Sequence, residues 1–230
     1  MYMGFLITSL VMFVVWLAIL LASSNTRREQ IIMSIVGVVV TPGVLLVASQ
    51  DYRSIIAESA ATIGIEDFIF IFSLFGIAAV IYQVAFGKRL HKIKGDRIVI
   101  PDPSAHLLTH LIMVLGLWAL ISLVLVHVFA MASIQALIIA GLFIGVYIIA
   151  DRQDLLLDAL FSGILTASLV FLVEQLLFFR LFPAGAASLW QESVSIFFVG
   201  GVPLEEILWA GVVGFTIGPL YEWLRRYEMG

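Results

Sequence analysis

Two pairs of adjacent carboxylates stand at the start of long apolar runs in this chain. Glu205 and Glu206 precede a hydrophobic run that extends to Tyr221, and Glu66 and Asp67 hold the same place in an earlier run. A charged side chain at bilayer depth costs several kcal/mol, so it marks a functional site by default. A carboxyl group can deliver a proton when protonated and accept one when ionised. The spacing therefore predicts an acid–base site with these four acidic residues as its catalytic groups.

A structural role for the same carboxylates stays open. Pro203 stands two residues before Glu205, and proline suits the first position of a helix. Acidic groups in the first turn also stabilise the positive end of the helix dipole, by roughly 0.3–1 kcal/mol each. One pair would not separate helix initiation from function, but two pairs of the same kind favour function.

The two acidic pairs belong to a longer internal similarity. Five positions match at a constant separation of 139 residues: Glu66 with Glu205, Asp67 with Glu206, Phe70 with Trp209, Tyr82 with Tyr221, and Gln83 with Glu222. The match includes both the start and the end of a helix. It predicts two three-helix repeats, at 1–87 and 131–230, joined by a basic loop and an extra fourth helix at 88–130 within one membrane domain.

The elements that carry these residues follow from the composition. Hydrophobic residues make up 62% of the 230 positions and charged residues 12%, which indicates a polytopic membrane protein. Apolar runs of about twenty residues match the helix length needed to cross a hydrocarbon core. We therefore expect an all-α protein with seven membrane-spanning helices, at 4–22, 31–49, 68–87, 107–130, 133–150, 157–179 and 204–223.

The basic residues predict the orientation of these helices. Seven spans place ten of the twelve lysines and arginines on one side of the membrane and two, Arg53 and Arg180, on the other. Cytoplasmic loops collect lysine and arginine, so we expect a multi-pass protein of the cell membrane with an outer N-terminus and a cytoplasmic C-terminus. Because the fourth helix lies between the repeats, they run parallel, and both acidic pairs begin at the outer face.

Four further residues are predicted to bind a substrate near that face. Glu174 lies near the outer end of the sixth span and His127 near the outer end of the fourth, while Phe70 and Trp209 follow the acidic pairs. The aromatic rings could stabilise a carbocation, although lipid contact also explains them. Pairing with Arg180 or Gln175 is the alternative for Glu174. No metal site is predicted, because His127 has no second histidine at ligand spacing.

Both helices that begin with acidic pairs also carry structural signals near their inner ends. Tyr82 and Tyr221 are predicted to be interfacial anchors, since tyrosine is enriched where a helix meets the headgroups. Gly214 and Gly218, followed by Pro219, predict close helix packing and a kink in the last span.

Several classes of function are excluded by what the chain lacks. It has no cysteine, which removes disulfides, thiolate metal sites and cysteine nucleophiles. No lysine lies within a predicted span, which removes a retinal Schiff base. No glycine-rich dinucleotide fingerprint follows a strand, and no cofactor is expected. The basic loop at 87–97 indicates an anchor on anionic lipid of the bilayer, so no nucleic-acid partner is expected. The sequence does not predict an oligomeric state.

The arrangement of these motifs resembles the lycopene cyclase domain of the integral-membrane carotenoid cyclases, in particular its single-chain branch. The family pattern has two three-helix units, each with Pro-x-Glu-(Glu/Asp) opening the third helix and Tyr-Glu near its end. The sequence at 203–206 with Tyr221 and Glu222 carries the full pattern. The first copy has Gly64 in place of the proline and Gln83 in place of the final glutamate.

The resemblance implies an isomerase of carotenoid biosynthesis that closes the end group of a linear polyene. Such an enzyme delivers a proton to a terminal alkene and removes one from the ring carbocation, without net redox change. Glu205 is then the principal acid, with Glu66, Glu206 and Asp67 as base or charge stabilisers. The implied substrate is a hydrophobic polyene or isoprenoid.

Two other functions remain open from the sequence. The segment at 205–211 resembles the Glu-Glu-x-x-x-Arg box of intramembrane metalloproteases that process prenylated proteins, although Ala210 occupies the place of the arginine. A non-catalytic isoprenoid-binding or scaffold protein of the same fold is the other alternative.

Overall fold

A computed structural model describes residues 3–48, 51, 64–88, 90–92, 103–181 and 197–229 of the chain. Seven stretches of helix in this part of the chain are long and apolar enough to cross a membrane, which confirms the predicted multi-pass, mostly helical architecture. The main helices are α1 Met3–Ala22, α2 Arg27–Ala48, α3 Ile65–Phe86, α4 Pro103–His127, α5 Ser133–Asp151, α6 Leu156–Val173, α7 Leu204–Ile217 and α8 Leu220–Arg225.

Short irregular elements and strands complete the fold. A 3₁₀ turn, Gln153–Leu155, precedes α6, and a π-helix, Glu174–Phe179, follows it. Four strands form two small antiparallel pairs, β1 with β4 and β2 with β3. Their bounds are β1 Leu90–Lys92, β2 Phe198–Val199, β3 Val202–Pro203 and β4 Tyr227–Met229. The expected all-α fold therefore holds for the membrane-spanning part, with strands only at its edges among the described residues.

Helices α2 and α3 are among those that begin before their apolar runs, because polar residues form part of their first turns. Helix α2 starts at Arg27, whose guanidinium donates hydrogen bonds to the carbonyl oxygens of Leu20 and Leu21 at 2.8 and 3.3 Å. These carbonyls belong to the last turn of α1, where backbone acceptors lack partners within the helix. Helix α3 starts at Ile65, so the first acidic pair lies within its first turn.

The last membrane span is interrupted at Gly218 and Pro219, where the sequence predicted a kink. Helix α7 ends at Ile217 and α8 begins at Leu220, because Pro219 has no N–H to continue the helical hydrogen bonds. Gly214 confirms close packing, since a Cβ atom there would lie 2.4 Å from the carbonyl oxygen of Ser162 on α6.

The packing places α3 and α7 at the centre of the bundle. Helix α3 packs against α1 and α2, α7 packs against α5 and α6, and α3 and α7 also touch each other. Within the candidate spans, 67% of the α3 residues and 72% of the residues in the last span are buried, against 17% for α4. Tyr82 and Tyr221 are also buried, so their prediction as interfacial anchors is wrong; the helix ends that carry them pack inside the bundle.

Candidate functional site

A tight hairpin delivers the second acidic pair to the bundle. Strands β2 and β3 are joined by Gly200 and Gly201, which have φ values of +62° and +95°. A two-residue turn with both φ values positive strongly favours glycine, because a Cβ atom is disfavoured there. The backbone N–H of Leu204 donates to the carbonyl oxygen of Phe197 at 2.9 Å and closes the hairpin. The chain then enters α7 directly, with Glu205 in its first turn.

The second acidic pair does not cap its own helix in the way the first pair does. Pro203 is the N-cap residue of α7, and Glu206 stands at the third helical position. A carboxylate at that position commonly accepts a hydrogen bond from the N-cap backbone N–H, but proline has no N–H to offer. Glu205 is partly exposed, yet its Oε2 atom is buried and has no hydrogen-bond partner in the described part of the chain.

The first acidic pair is engaged in local structure. The Oδ2 atom of Asp67 accepts a hydrogen bond from the backbone N–H of Gly64 at 2.9 Å, and Asp67 is 4% exposed. The carboxyl group of Glu66 also folds over Gly64, since a Cβ atom there would lie 2.4 Å from its Cδ. At this copy, the helix-initiation role that the sequence left open describes Asp67 well.

An apolar cavity of about 370 Å³ lies between α2, α4, α5 and α7. Its lining is almost entirely aliphatic and aromatic: Val39, Val40, Gly43, Val44, Val47, Phe75, Ile112, Leu115, Gly116, Trp118, Ala119, Ser122, Leu137, Trp209 and Val213. Two of its polar groups are already bonded, because the indole of Trp118 donates to the carbonyl oxygen of Leu137 and the hydroxyl of Ser122 donates to that of Trp118. The cavity therefore suits a hydrocarbon ligand.

Helix α7 connects this cavity with the second acidic pair. Trp209 lines the cavity and is four residues after Glu205, so the two side chains share one face of the helix. One turn of helix rises about 5.4 Å. Glu205, with one buried oxygen that has no hydrogen-bond partner among the described residues, therefore stands about one helical turn from a residue of the cavity wall.

The remaining predicted substrate-binding residues lie elsewhere. Phe70 is buried, with its ring 5.7 Å from the ring of Phe5, and it does not line the cavity although its sequence counterpart Trp209 does. Glu174 is 1% exposed and begins the π-helix that packs against α1 and β3. His127 is exposed at the end of α4. A role in substrate binding stays a prediction for these three residues.

A buried polar cluster at the other end of the bundle was missed by sequence reasoning. The Nε2 atom of Gln83 donates to Glu29 Oε2 at 3.0 Å and to Glu222 Oε1 at 2.5 Å. Asp158, which is 1% exposed, accepts a hydrogen bond from the hydroxyl of Ser162 at 3.0 Å. One signal was available, because Asp158 is a charged residue inside the apolar run predicted at 157–179.

Comparisons with known proteins do not assign the chain to a family. No family model, curated protein or solved structure matches it. Among the residues that the structure describes, no group of three or more histidine, aspartate or glutamate side chains is arranged to hold a metal ion. The function must therefore be argued from the chemistry of the residues.

Proposed function

We propose that this protein is an intramembrane isomerase that cyclises the end group of a lycopene-type carotenoid by proton transfer between carboxyl groups. The observation that carries the proposal is the place of Glu205, whose buried Oε2 atom has no hydrogen-bond partner among the described residues and lies one helical turn from the cavity residue Trp209. Proton-driven cyclisation of a hydrocarbon needs these two features together, an acid and a dry apolar cavity.

The proposed reaction conserves atoms and electrons. Protonated Glu205 donates its proton to the terminal C=C bond of the polyene, which leaves a carbocation. The π electrons of a neighbouring C=C bond then form the ring C–C bond and move the positive charge into the ring. A carboxylate removes one ring proton, which restores a C=C bond; we assign this role to Glu206, the carboxyl group next to Glu205 in the first turn of α7.

The aromatic residues of the cavity have a matching role. The rings of Trp209 and Phe75 belong to its wall, and the negative faces of such rings attract a nearby cation. The charge of a ring carbocation is spread over carbon and cannot accept hydrogen bonds. Aromatic faces can therefore stabilise it without competing for the proton of Glu205. Glu66 and Asp67, on the neighbouring central helix, would contribute negative charge near the site.

The proposal includes a parallel arrangement of two three-helix repeats with their acidic pairs at the outer face. Its support is that α3 packs on α1 and α2 as α7 packs on α5 and α6. The direct contact between Gln83 and Glu222 also joins two positions that are 139 residues apart, the separation that aligns the acidic pairs. The outer location rests on the distribution of lysine and arginine in the sequence.

Expression in lycopene-accumulating bacteria tests the proposal. We expect the wild-type chain to convert lycopene to monocyclic or bicyclic products that chromatography separates. Glu205→Gln should lower the rate by about 10²–10⁴-fold, because the amide cannot act as a general acid. Asp154→Asn is the matched control, since it makes the same change from carboxylate to amide in an exposed ion pair with Arg152. We expect Asp154→Asn to keep full activity.

The possible outcomes separate the candidate functions. Wild-type protein that is present in the membrane but gives no cyclic product would sink the cyclase proposal. Polyene that copurifies with the protein without being converted would instead indicate an isoprenoid-binding protein. Equal loss of product in Glu205→Gln and Asp154→Asn would show that Glu205 has no special role in the reaction.

A further inference from the structure

At the opposite end of the bundle from Glu205, we propose a proton-binding site in which Glu29 and Glu222 share one proton beside Gln83. The site lies near the start of α2 and the ends of α3 and α8. It is independent of the proposed cyclase reaction, because it rests on different residues.

The contacts within the site require a hydrogen that the side chains do not otherwise supply. Gln83 Nε2 carries two hydrogens, and it donates them to Glu29 at 3.0 Å and to Glu222 at 2.5 Å. The carboxyl groups of Glu29 and Glu222 therefore meet at one nitrogen atom, which brings the two acidic groups close together. Ionised carboxylates only accept hydrogen bonds, so one of the two must be protonated for that contact to be attractive.

The burial of these side chains also favours a protonated carboxyl group, for energetic reasons. Glu29, Gln83 and Glu222 are at most 2% exposed, and Asp158, which faces both glutamates, is 1% exposed. Three carboxylates ionised together in a buried site would repel one another and lose their hydration. A shared proton removes one charge and converts the closest repulsion into a hydrogen bond.

Several buried acceptor atoms of the site lack a hydrogen-bond donor in the part of the chain that the structure describes. Within the described residues, no hydrogen-bond partner is found for Gln83 Oε1, Glu29 Oε1, Glu222 Oε2 or Asp158 Oδ2. Buried polar atoms are nearly always bonded, so unbonded acceptors that converge on one place need a hydrogen donor. A proton held by Glu29 or Glu222 turns one of these acceptors into a donor.

Other titratable groups face the site from the elements around it. Asp158 approaches from α6, Arg152 from the turn between α5 and α6, Tyr221 from α8, and Tyr82 faces Asp158 from α3. Hydrogen bonds to Asp154 raise the pKa of Arg152, so this flanking cation stays charged. Its Nε and Nη2 atoms donate to Asp154 and to the carbonyl oxygen of Tyr227, while its buried Nη1 has no hydrogen-bond partner among the described residues.

The proton joins the two halves of the protein. Glu29 and Gln83 belong to α2 and α3, while Asp158 and Glu222 belong to α6 and α8. Unfolded glutamate loses its proton above about pH 4.3, whereas the folded site retains one. The folded state therefore binds one proton more than the unfolded state, and stability must fall as pH rises until the site itself is deprotonated.

Infrared spectroscopy and pH-dependent unfolding of the purified protein in detergent test this site. At neutral pH we expect the C=O stretch of a protonated carboxylic acid, with a shift in ²H₂O. The part of the band that belongs to this site should disappear in Glu222→Gln and in Glu29→Gln, so both substitutions are made in a Glu205→Gln background, which removes the contribution of Glu205. The folded-to-unfolded ratio of the wild type should fall about tenfold per pH unit near neutrality, which is the linkage of one proton. Either amide variant should lose most of that slope.

The two amide variants keep the test decisive. The amide in Glu222→Gln can accept a hydrogen bond from Gln83 and donate one to Glu29, so we expect this variant to fold. Should it fail to fold, Glu29→Gln removes the other carboxyl while leaving Glu222 in place. Glu66→Gln, which makes the same change from carboxylate to amide at the other end of the bundle, is the control and should keep both the band and the slope. A neutral-pH spectrum without a protonated carboxyl, or a band unchanged in both variants, would overturn the proposal.

Discussion

The two acidic pairs differ in whether the N-cap residue before them has a backbone N–H. At the first pair, Gly64 offers an N–H that Asp67 binds at 2.9 Å. At the second pair, Pro203 occupies the same position before the helix and has no N–H. A pair of adjacent carboxylates therefore caps the helix through the N-cap N–H in the first copy, and that particular bond is not available in the second.

This difference predicts that alanine substitutions at Asp67 and Glu206 affect different properties, stability in the first case and product formation in the second. Asp67→Ala removes a cap and a favourable charge at the helix N-terminus, so it should lower the free energy of unfolding by about 1 kcal/mol. Glu206→Ala removes no hydrogen bond to the N-cap N–H, so it should lower stability less than Asp67→Ala, and it should slow product formation if Glu206 is the base. Thermal unfolding in detergent and chromatography of the pigments measure the two effects. A larger loss of stability in Glu206→Ala would contradict the assignment.

At the scale of elements, the contact between α6 and α7 depends on glycine. Gly214 brings the backbones together so closely that a Cβ atom would lie 2.4 Å from Ser162 O and 2.7 Å from Thr166 Oγ1. A backbone carbonyl cannot move aside as the end of a flexible side chain can. The close approach positions α7, and with it Glu205 and Trp209, against the rest of the bundle.

We therefore expect Gly214→Ala to destabilise the protein by about 1–3 kcal/mol, the usual effect of overpacking. Gly116→Ala on α4 is the control, because no heavy atom lies within 4 Å of its added Cβ. In a helix, alanine is favoured over glycine by about 1 kcal/mol, so the control should be as stable as the wild type or more stable. Thermal unfolding in detergent compares them, and equal melting temperatures would refute close packing at Gly214.

For the whole molecule, the absence of cysteine allows the proposed orientation to be tested directly. Ser24 is exposed in the turn between α1 and α2, and Val199 is 46% exposed in the hairpin before α7. The lysine and arginine distribution places these two positions on opposite sides of the membrane. Each can receive a single cysteine without any background from the native chain.

We expect a membrane-impermeant maleimide to label Val199→Cys on intact cells and to label Ser24→Cys only after the membrane is opened. Gel shift or mass spectrometry reads the labelling, and the unmodified chain provides the blank. The reverse labelling pattern would show the opposite orientation, with the acidic pairs at the cytoplasmic face. Labelling of both variants on intact cells would contradict seven crossings.

Sequence patterns predicted those features that depend on a single stretch of chain. The seven spans are local, because the length of an apolar run sets whether a helix can cross a membrane. The break before α8 is local as well, because proline lacks an N–H wherever it stands. The prediction for Tyr82 and Tyr221 was wrong because position along a helix does not say which way a side chain points.

Residue types and their spacing were enough to predict the seven apolar helices and the break at Pro219. Only the tertiary structure decided that Trp209 lines a cavity while Phe70 does not, and that Gln83 bridges Glu29 and Glu222. The physical reason is that a helix apolar on most sides carries little directional pattern. Its rotation about its own axis, and hence the neighbours of each side chain, is fixed only when the helices pack.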